Sequence, residues 1–254
     1  PSESTLFQIS VPPMPDDYSM AISPDGRALA FVASTTATSA QSLFVREFGS
    51  VEPRQLNGTE GASYPFWSPD GRSIAFFARG RLKKVELSGG SPRALCAALD
   101  FRGGTWNGDD VILFGDWPIL RRVSAEGGEP AKVTQIDKSP GEQAHYYPSF
   151  LPDGRHYLYE VRFSIPSKDG IYMGSLDSQE KTRLLTEGSM AVYAEPGYLL
   201  FQKEGTLFAQ PFNAKKRTLG GKSVRIVDNV FFNVAGWAGF GASQNGTLIY
   251  RTGN

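Results

Sequence analysis

The chain is poor in the residues that most often carry chemistry. Its 254 residues include one cysteine and two histidines. A single thiol, Cys96, excludes an internal disulfide and a thiolate metal cluster. It lies in the apolar run Ala94-Leu95-Cys96-Ala97-Ala98-Leu99, where packing is its expected role. With only His145 and His156, a multi-histidine metal site is excluded as well. Net charge is absent too, since 26 Lys and Arg balance 26 Asp and Glu. The longest run of like charge is Lys215-Lys216-Arg217, which argues against duplex nucleic acid or an anionic membrane as main partner. No segment is apolar for long enough to span a bilayer, and no signal peptide is recognisable. A G-x-S-x-G elbow, an H-E-x-x-H pair, a P-loop, a dinucleotide glycine fingerprint and the protein-kinase motifs are all missing. These absences predict a chain that is not itself an enzyme and holds no cofactor or metal.

What the chain does have is a repeat. Ser23-Pro24-Asp25-Gly26-Arg27, Ser68-Pro69-Asp70-Gly71-Arg72, Trp106-Asn107-Gly108-Asp109, Leu151-Pro152-Asp153-Gly154-Arg155, Ala194-Glu195-Pro196-Gly197 and Ser243-Gln244-Asn245-Gly246-Thr247 each join two hydrophobic segments. The turn glycines Gly26, Gly71, Gly108, Gly154, Gly197 and Gly246 recur at intervals of 37 to 49 residues. Strand–turn–strand units with that period are the signature of β-propeller blades. Asp-Gly and Asn-Gly supply the positive φ angles of tight hairpins, and the preceding proline presets φ for the turn. Third strands follow, such as Arg81-Leu82-Lys83-Lys84-Val85-Glu86-Leu87. Short, Pro-bearing fourth strands come after Gly89-Gly90 and Gly127-Gly128, as befits outer edges. The pattern predicts an all-β, six-bladed β-propeller of four-stranded antiparallel blades, with residues 1–254 as a single domain.

The sixth unit stops two strands short, after Leu248-Ile249-Tyr250-Arg251. The segment Ser4-Thr5-Leu6-Phe7-Gln8-Ile9-Ser10-Val11 reads as a strand too many before the first turn, so it is expected to complete the last blade and clasp the ring shut.

The approaches to the innermost strands converge at one mouth of a propeller channel. They carry Asp17, Tyr18, Tyr64, Arg102, His145, Tyr146 and Trp237, which are the candidate ligand-binding residues. Aromatic rings with a few convergent polar groups make a recognition surface. The same residues also suit a channel plug. Asp109 and Asp110 follow a turn and are expected to serve the hairpin.

Ser-Pro-Asp-Gly-Arg followed by Ala28-Leu29-Ala30-Phe31 or Ser73-Ile74-Ala75-Phe76 resembles the WD40-like PD40 repeat of TolB-type propellers. The blocks Gly61-Ala62-Ser63-Tyr64-Pro65-Phe66-Trp67, Arg102-Gly103-Gly104-Thr105-Trp106, Gly197-Tyr198-Leu199-Leu200-Phe201 and Ala209-Gln210-Pro211-Phe212 go further. They resemble the C-terminal propellers of bacterial transmembrane serine/threonine protein kinases. That resemblance implies an extracytoplasmic sensor or interaction domain whose partner is a protein, peptide or cell-envelope fragment, with the kinase domain outside this chain. It carries over no catalytic residue. A stand-alone TolB-like periplasmic adaptor is the alternative. A propeller hydrolase or dehydrogenase with a metal or cofactor in the channel is the third reading.

Overall fold

In a computed structural model the described residues are 8–9, 20–34, 40–138, 141–233 and 236–253. The first repeat gives β1 (Met20–Ile22), β2 (Ala28–Ala33), β3 (Ser42–Glu47) and β4 (Arg54–Gln55). The second gives β5 (Ser63–Trp67), β6 (Ser73–Ala78), β7 (Arg81–Glu86) and β8 (Arg93–Ala97). The third gives β9 (Phe101–Trp106), β10 (Val111–Asp116), β11 (Ile119–Ser124) and β12 (Ala131–Lys132). The fourth gives β13 (Glu142–Phe150), β14 (His156–Phe163), β15 (Gly170–Ser175) and β16 (Ser178–Leu185). In the fifth, β17 (Ala191–Ala194), β18 (Tyr198–Lys203) and β19 (Thr206–Asn213) are followed by β20 (Thr218–Leu219) and β21 (Val224–Val227), both paired with β19. The sixth is the hairpin β22 (Phe240–Ala242) and β23 (Leu248–Tyr250). Every pairing is antiparallel between sequence neighbours or one strand apart, and the helical content of the described residues is one 3₁₀ turn at Pro166–Lys168.

The protein is therefore an all-β propeller of small antiparallel sheets. Five blades are complete rather than the six expected. Among the described residues the sixth repeat supplies only a two-stranded sheet. The strand expected at residues 4–11 lies outside the described residues apart from Gln8 and Ile9, which are not in a strand.

Six hydrophobic clusters fill the gaps between neighbouring sheets. One joins Phe76, Ile74 and Trp67 to Val32, Leu43 and Val45, and another sets Ile249 of the last hairpin against Phe31 and Phe44. Covered on both faces, β2 and β6 are buried at every position and read as unbroken apolar runs. Cys96 is buried in β8, and burial, its largest influence, pushes the thiol up to about 11, which leaves it unreactive.

The turns follow the sequence with one difference. In the first, the Ser23 hydroxyl donates to Asp25 and accepts from the Ala28 N–H, Asp25 accepts from the Arg27 N–H, and Gly26 sits at φ +68°. The second turn repeats this through Ser68, Asp70 and Gly71. In the third, Asn107 accepts from the Asp109 and Val111 N–H groups, and Asp110 rather than Gly108 takes the left-handed conformation. Asn107 and Asn245 also tie adjacent turns together, donating to the Gly154 and Asp25 carbonyls at 2.7 and 2.6 Å.

Gly104 shows how tightly the inner strands approach. A Cβ there would lie 2.4 Å from Cε1 of the buried Phe66. Gly104→Ala is expected to lower stability by about 1–3 kcal/mol, the usual cost of overpacking. Chemical denaturation checks this, and an unchanged midpoint would show that the two blades can spread at no cost.

Candidate functional site

The first strands β1, β5, β9, β13, β17 and β22 contact one another in that order, and β22 returns to β1, so they surround a central channel. Trp67 Nε1 donates to the Ala21 carbonyl at 2.9 Å across one of these contacts. The channel encloses a cavity of about 660 Å³ lined by all six strands. That volume is within the range of small-ligand sites. At the turn end it opens between Pro24, Pro69, Asn107, Pro152, Glu195 and Gln244.

The upstream end has an aromatic floor, and backbone irregularities build it. The register slips between Ser63 and Phe66 in β5 and between Tyr146 and Ser149 in β13. Each slip contains a Tyr-Pro pair, with Tyr64 at φ +46° and Tyr147 at φ +51°. Gly103 holds the equivalent place in β9 at φ +75°. Such angles are uncommon for bulky residues, and a bulge re-aims the side chain that carries it. Tyr147 reaches across Gly103, where a Cβ would lie 3.2 Å from its ring, to bring its centroid within 6.3 Å of Tyr64. Trp237 and Phe231, 6.0 Å apart, complete the cluster with Tyr146 and Met190 against it. Burial, followed by the nearby Tyr64, drives the Tyr147 hydroxyl far above its usual range and keeps it neutral.

Of the residues proposed from sequence, the structure brings together Tyr64, Arg102, Tyr146 and Trp237. Tyr64 and Trp237 line the cavity floor. Arg102 lies outside it, with its guanidinium carbon 5.6 Å from the Tyr146 ring and Nη1 2.7 Å from Asp100. Asp17 and Tyr18 are outside the described residues. His145 is elsewhere. It is buried between the third and fourth blades, where it borders a second cavity of about 410 Å³. The reason is strand alternation, which sends His145 to the face opposite its neighbour Tyr146. There Nδ1 is 2.8 Å from Thr134 Oγ1 and Nε2 is 3.4 Å from Glu142. Burial works to raise the Glu142 carboxyl, but bonds from His145, Lys181 and the Asp137 N–H outweigh it and hold it at about 2.

Sequence reasoning missed the polar group behind the floor. Glu160, paired with Tyr146 across β13 and β14, is wholly buried. Its Oε1 accepts from Arg162 Nε at 2.8 Å, and Gly236 packs so closely that a Cβ there would be 2.6 Å from Oε2. Burial first, then Asp169, pushes this carboxyl up to about 7 against the pull of Arg162. Nothing in the spacing of Glu160, Arg162, Asp169 and Gly236 marks them as neighbours. Among the described residues no three His, Cys, Asp or Glu side chains are placed to hold a metal ion.

No family model matches the chain. Over 145 residues it is 28% identical to YuxL, an uncharacterized peptidase of Bacillus subtilis strain 168, covering 56% of this chain and 21% of that protein. The chain thus spans about a fifth of the length of that curated relative. Among solved structures, TolB from Acinetobacter baumannii superposes with a TM-score of 0.65 at 14% identity, covering 83% of this chain and 54% of that one. A TolB-type protein from Agrobacterium tumefaciens gives the same TM-score at 16% identity, covering 93% and 90%. An oligogalacturonate lyase in complex with manganese (TM-score 0.52, 13% identical, 84% and 77% covered) has the fold as well. So does a prolyl endopeptidase (TM-score 0.52, 13% identical, 82% and 35% covered). These likenesses place the chain among TolB-like propellers in fold. They overturn the expectation that it is not an enzyme, since the curated relative is named a peptidase and propellers of this shape occur in a lyase and an endopeptidase. Among the described residues no helix is long and apolar enough to cross a membrane.

The elevated Glu160 carboxyl has a definite consequence for stability. Between about pH 4.5 and 7 the folded chain keeps a proton that the unfolded chain loses, so stability falls as pH rises and levels off above 7. The fall is at most about 3 kcal/mol, at roughly 1.4 kcal/mol per pH unit. Glu160→Gln should flatten this slope and gain most above pH 7. Urea midpoints of both proteins from pH 4.5 to 8 test it, and parallel curves would contradict the assignment.

Proposed function

We propose that the chain is a binding propeller that takes its ligand into the central channel through the turn-side mouth, on behalf of a larger protein. The observation that carries this reading is the cavity of about 660 Å³, to which every repeat contributes its first strand. Tyr64 and Trp237 serve as its floor, while Arg102 and Tyr146 back that floor from outside. The resemblance of the repeat blocks makes the larger protein a bacterial transmembrane serine/threonine kinase. The propeller is then its extracytoplasmic sensor, and the ligand a peptide, protein or cell-envelope fragment. A six-bladed ring closed by residues 4–11 belongs to the same reading, as does the alternative of a stand-alone periplasmic adaptor. The likeness to a Bacillus subtilis peptidase favours a second reading, in which the ring sits beside a hydrolase domain and receives peptides for it.

Ser149 is half-exposed on β13 and lines the channel, so Ser149→Trp obstructs the cavity. A panel of peptides and cell-wall fragments should contain members that raise the melting temperature of the natural chain. At a hundred times the dissociation constant the gain is about 2.7 kcal/mol. Ser149→Trp should keep its β-sheet circular dichroism and lose that gain. An equal rise in the obstructed variant would move the binding site out of the channel.

A further inference from the structure

The six inner turns share a design, and one of them breaks it. In the first, second and fourth turns the acidic residue is used up in the turn itself. Asp25 and Asp70 each take a serine hydroxyl and a backbone N–H, and Asp153 takes the Arg155 and His156 N–H groups and the His156 ring. In the third and sixth turns Asn107 and Ser243 do that work, accepting the Val111 and Thr247 N–H groups. Glu195 of the fifth turn accepts no backbone N–H among the described residues. Its Oε2 instead accepts from the Tyr193 hydroxyl at 3.2 Å, and both residues line the channel mouth. Burial first, and then Glu195, raises the Tyr193 hydroxyl above its usual range, so it keeps its proton and donates.

The surroundings make this carboxylate distinctive. It is the one charged side chain among the described residues that line the cavity, which is otherwise built from aromatic, aliphatic, glycine, proline and neutral polar residues. The turns around the mouth lean the same way. Arg27, Arg72 and Arg155 each follow an aspartate by two residues, whereas Asp109, Asp110 and Glu195 stand in turns with no basic residue. A low-dielectric channel behind an anionic rim attracts cations and repels anions.

We propose that the channel selects a peptide segment with apolar side chains and one positively charged group, which the Tyr193–Glu195 pair receives at the mouth. This inference rests on the channel-binding reading above and adds the chemical class of the ligand. The apolar body is held by the walls that β5, β9 and β13 provide, and the ammonium or guanidinium stays at the rim, where it remains partly hydrated. Among the described residues of the lining an anionic chain finds no cation to meet it.

The test uses three pools of N-acetylated, C-amidated hexapeptides, randomised over apolar residues at five positions and fixed as lysine, glutamine or glutamate at the sixth. Each pool is passed over the immobilised natural chain, Glu195→Gln and Ser149→Trp, and retained peptide is quantified. The expected result is retention of the lysine pool roughly fivefold above the glutamine pool on the natural chain, as suits a partly exposed charge pair. Glutamate should be retained least, and the lysine advantage should vanish in Glu195→Gln and shrink in high salt. Equal retention of all three pools by the natural chain, lost in Ser149→Trp, would overturn the charge selection while leaving channel binding intact. An unchanged lysine advantage in Glu195→Gln would overturn the role of that carboxylate. Retention of no pool, or equal retention by Ser149→Trp, would sink the channel-binding reading and this inference with it.

Discussion

Face-to-face packing of the second strands is the constraint on which the structure depends. A strand such as β6, buried at all six positions, has no solvent face and needs a neighbouring sheet on each side. No single blade of this chain can satisfy that requirement, and no open row of blades can satisfy it at both ends. The demand is met by bending the row until the last hairpin covers the first blade, which Ile249 does against Phe31 and Phe44. The turn asparagines reinforce the closure, because Asn245 reaches the Asp25 carbonyl from the other end of the sequence. A central channel is the geometric result. Six first strands converge on one axis, and whatever side chains they carry define what the channel can hold.

Much of this was legible in the sequence. The Pro-Asp-Gly turns announced where each hairpin folds, and the apolar runs after them announced burial on both faces. The blade count was less secure, because the sixth repeat contains only two strands and the segment expected to complete it is outside the described residues. The turn at Asn107 carried a subtler lesson. Asn-Gly suggested a left-handed glycine, yet Asp110 adopts that conformation, since Asn107 caps the turn through its side chain and shifts the tight position downstream.

The site was legible only where its chemistry is local. Tyr64 and Trp237 fall at the channel because both stand at the start of a first strand, which the repeat locates. His145 stands at a similar point but faces the other way, and the bulge at Tyr147-Pro148 hides which residue of Ala144-His145-Tyr146-Tyr147 turns inward. Glu160, Arg162 and Gly236 meet from distant parts of the chain. Their association follows from ring closure, which no local pattern reports. Glu195 was visible as a departure from the repeat, and its meaning depended on seeing that Tyr193 engages a carboxylate which the other turns consume.

The aromatic floor bears on which kind of larger protein this ring serves. A propeller that gates a hydrolase through its channel has to pass substrate along the axis, whereas a sensor only has to hold it. Here Tyr147 crosses Gly103 to meet Tyr64, and Phe231 and Trp237 pack beside them with little exposure. Two of those rings stand on left-handed backbone at Tyr-Pro steps, which sets the direction in which their Cα–Cβ bonds leave the strand. Among the described residues this aromatic cluster stands at the upstream end of the cavity, opposite the turns. A peptidase role that used the axis would require substrate to pass this cluster, and otherwise to enter and leave by the turn side or between blades. A sensor role requires neither, and the aromatic cluster gives a bound segment something to press against.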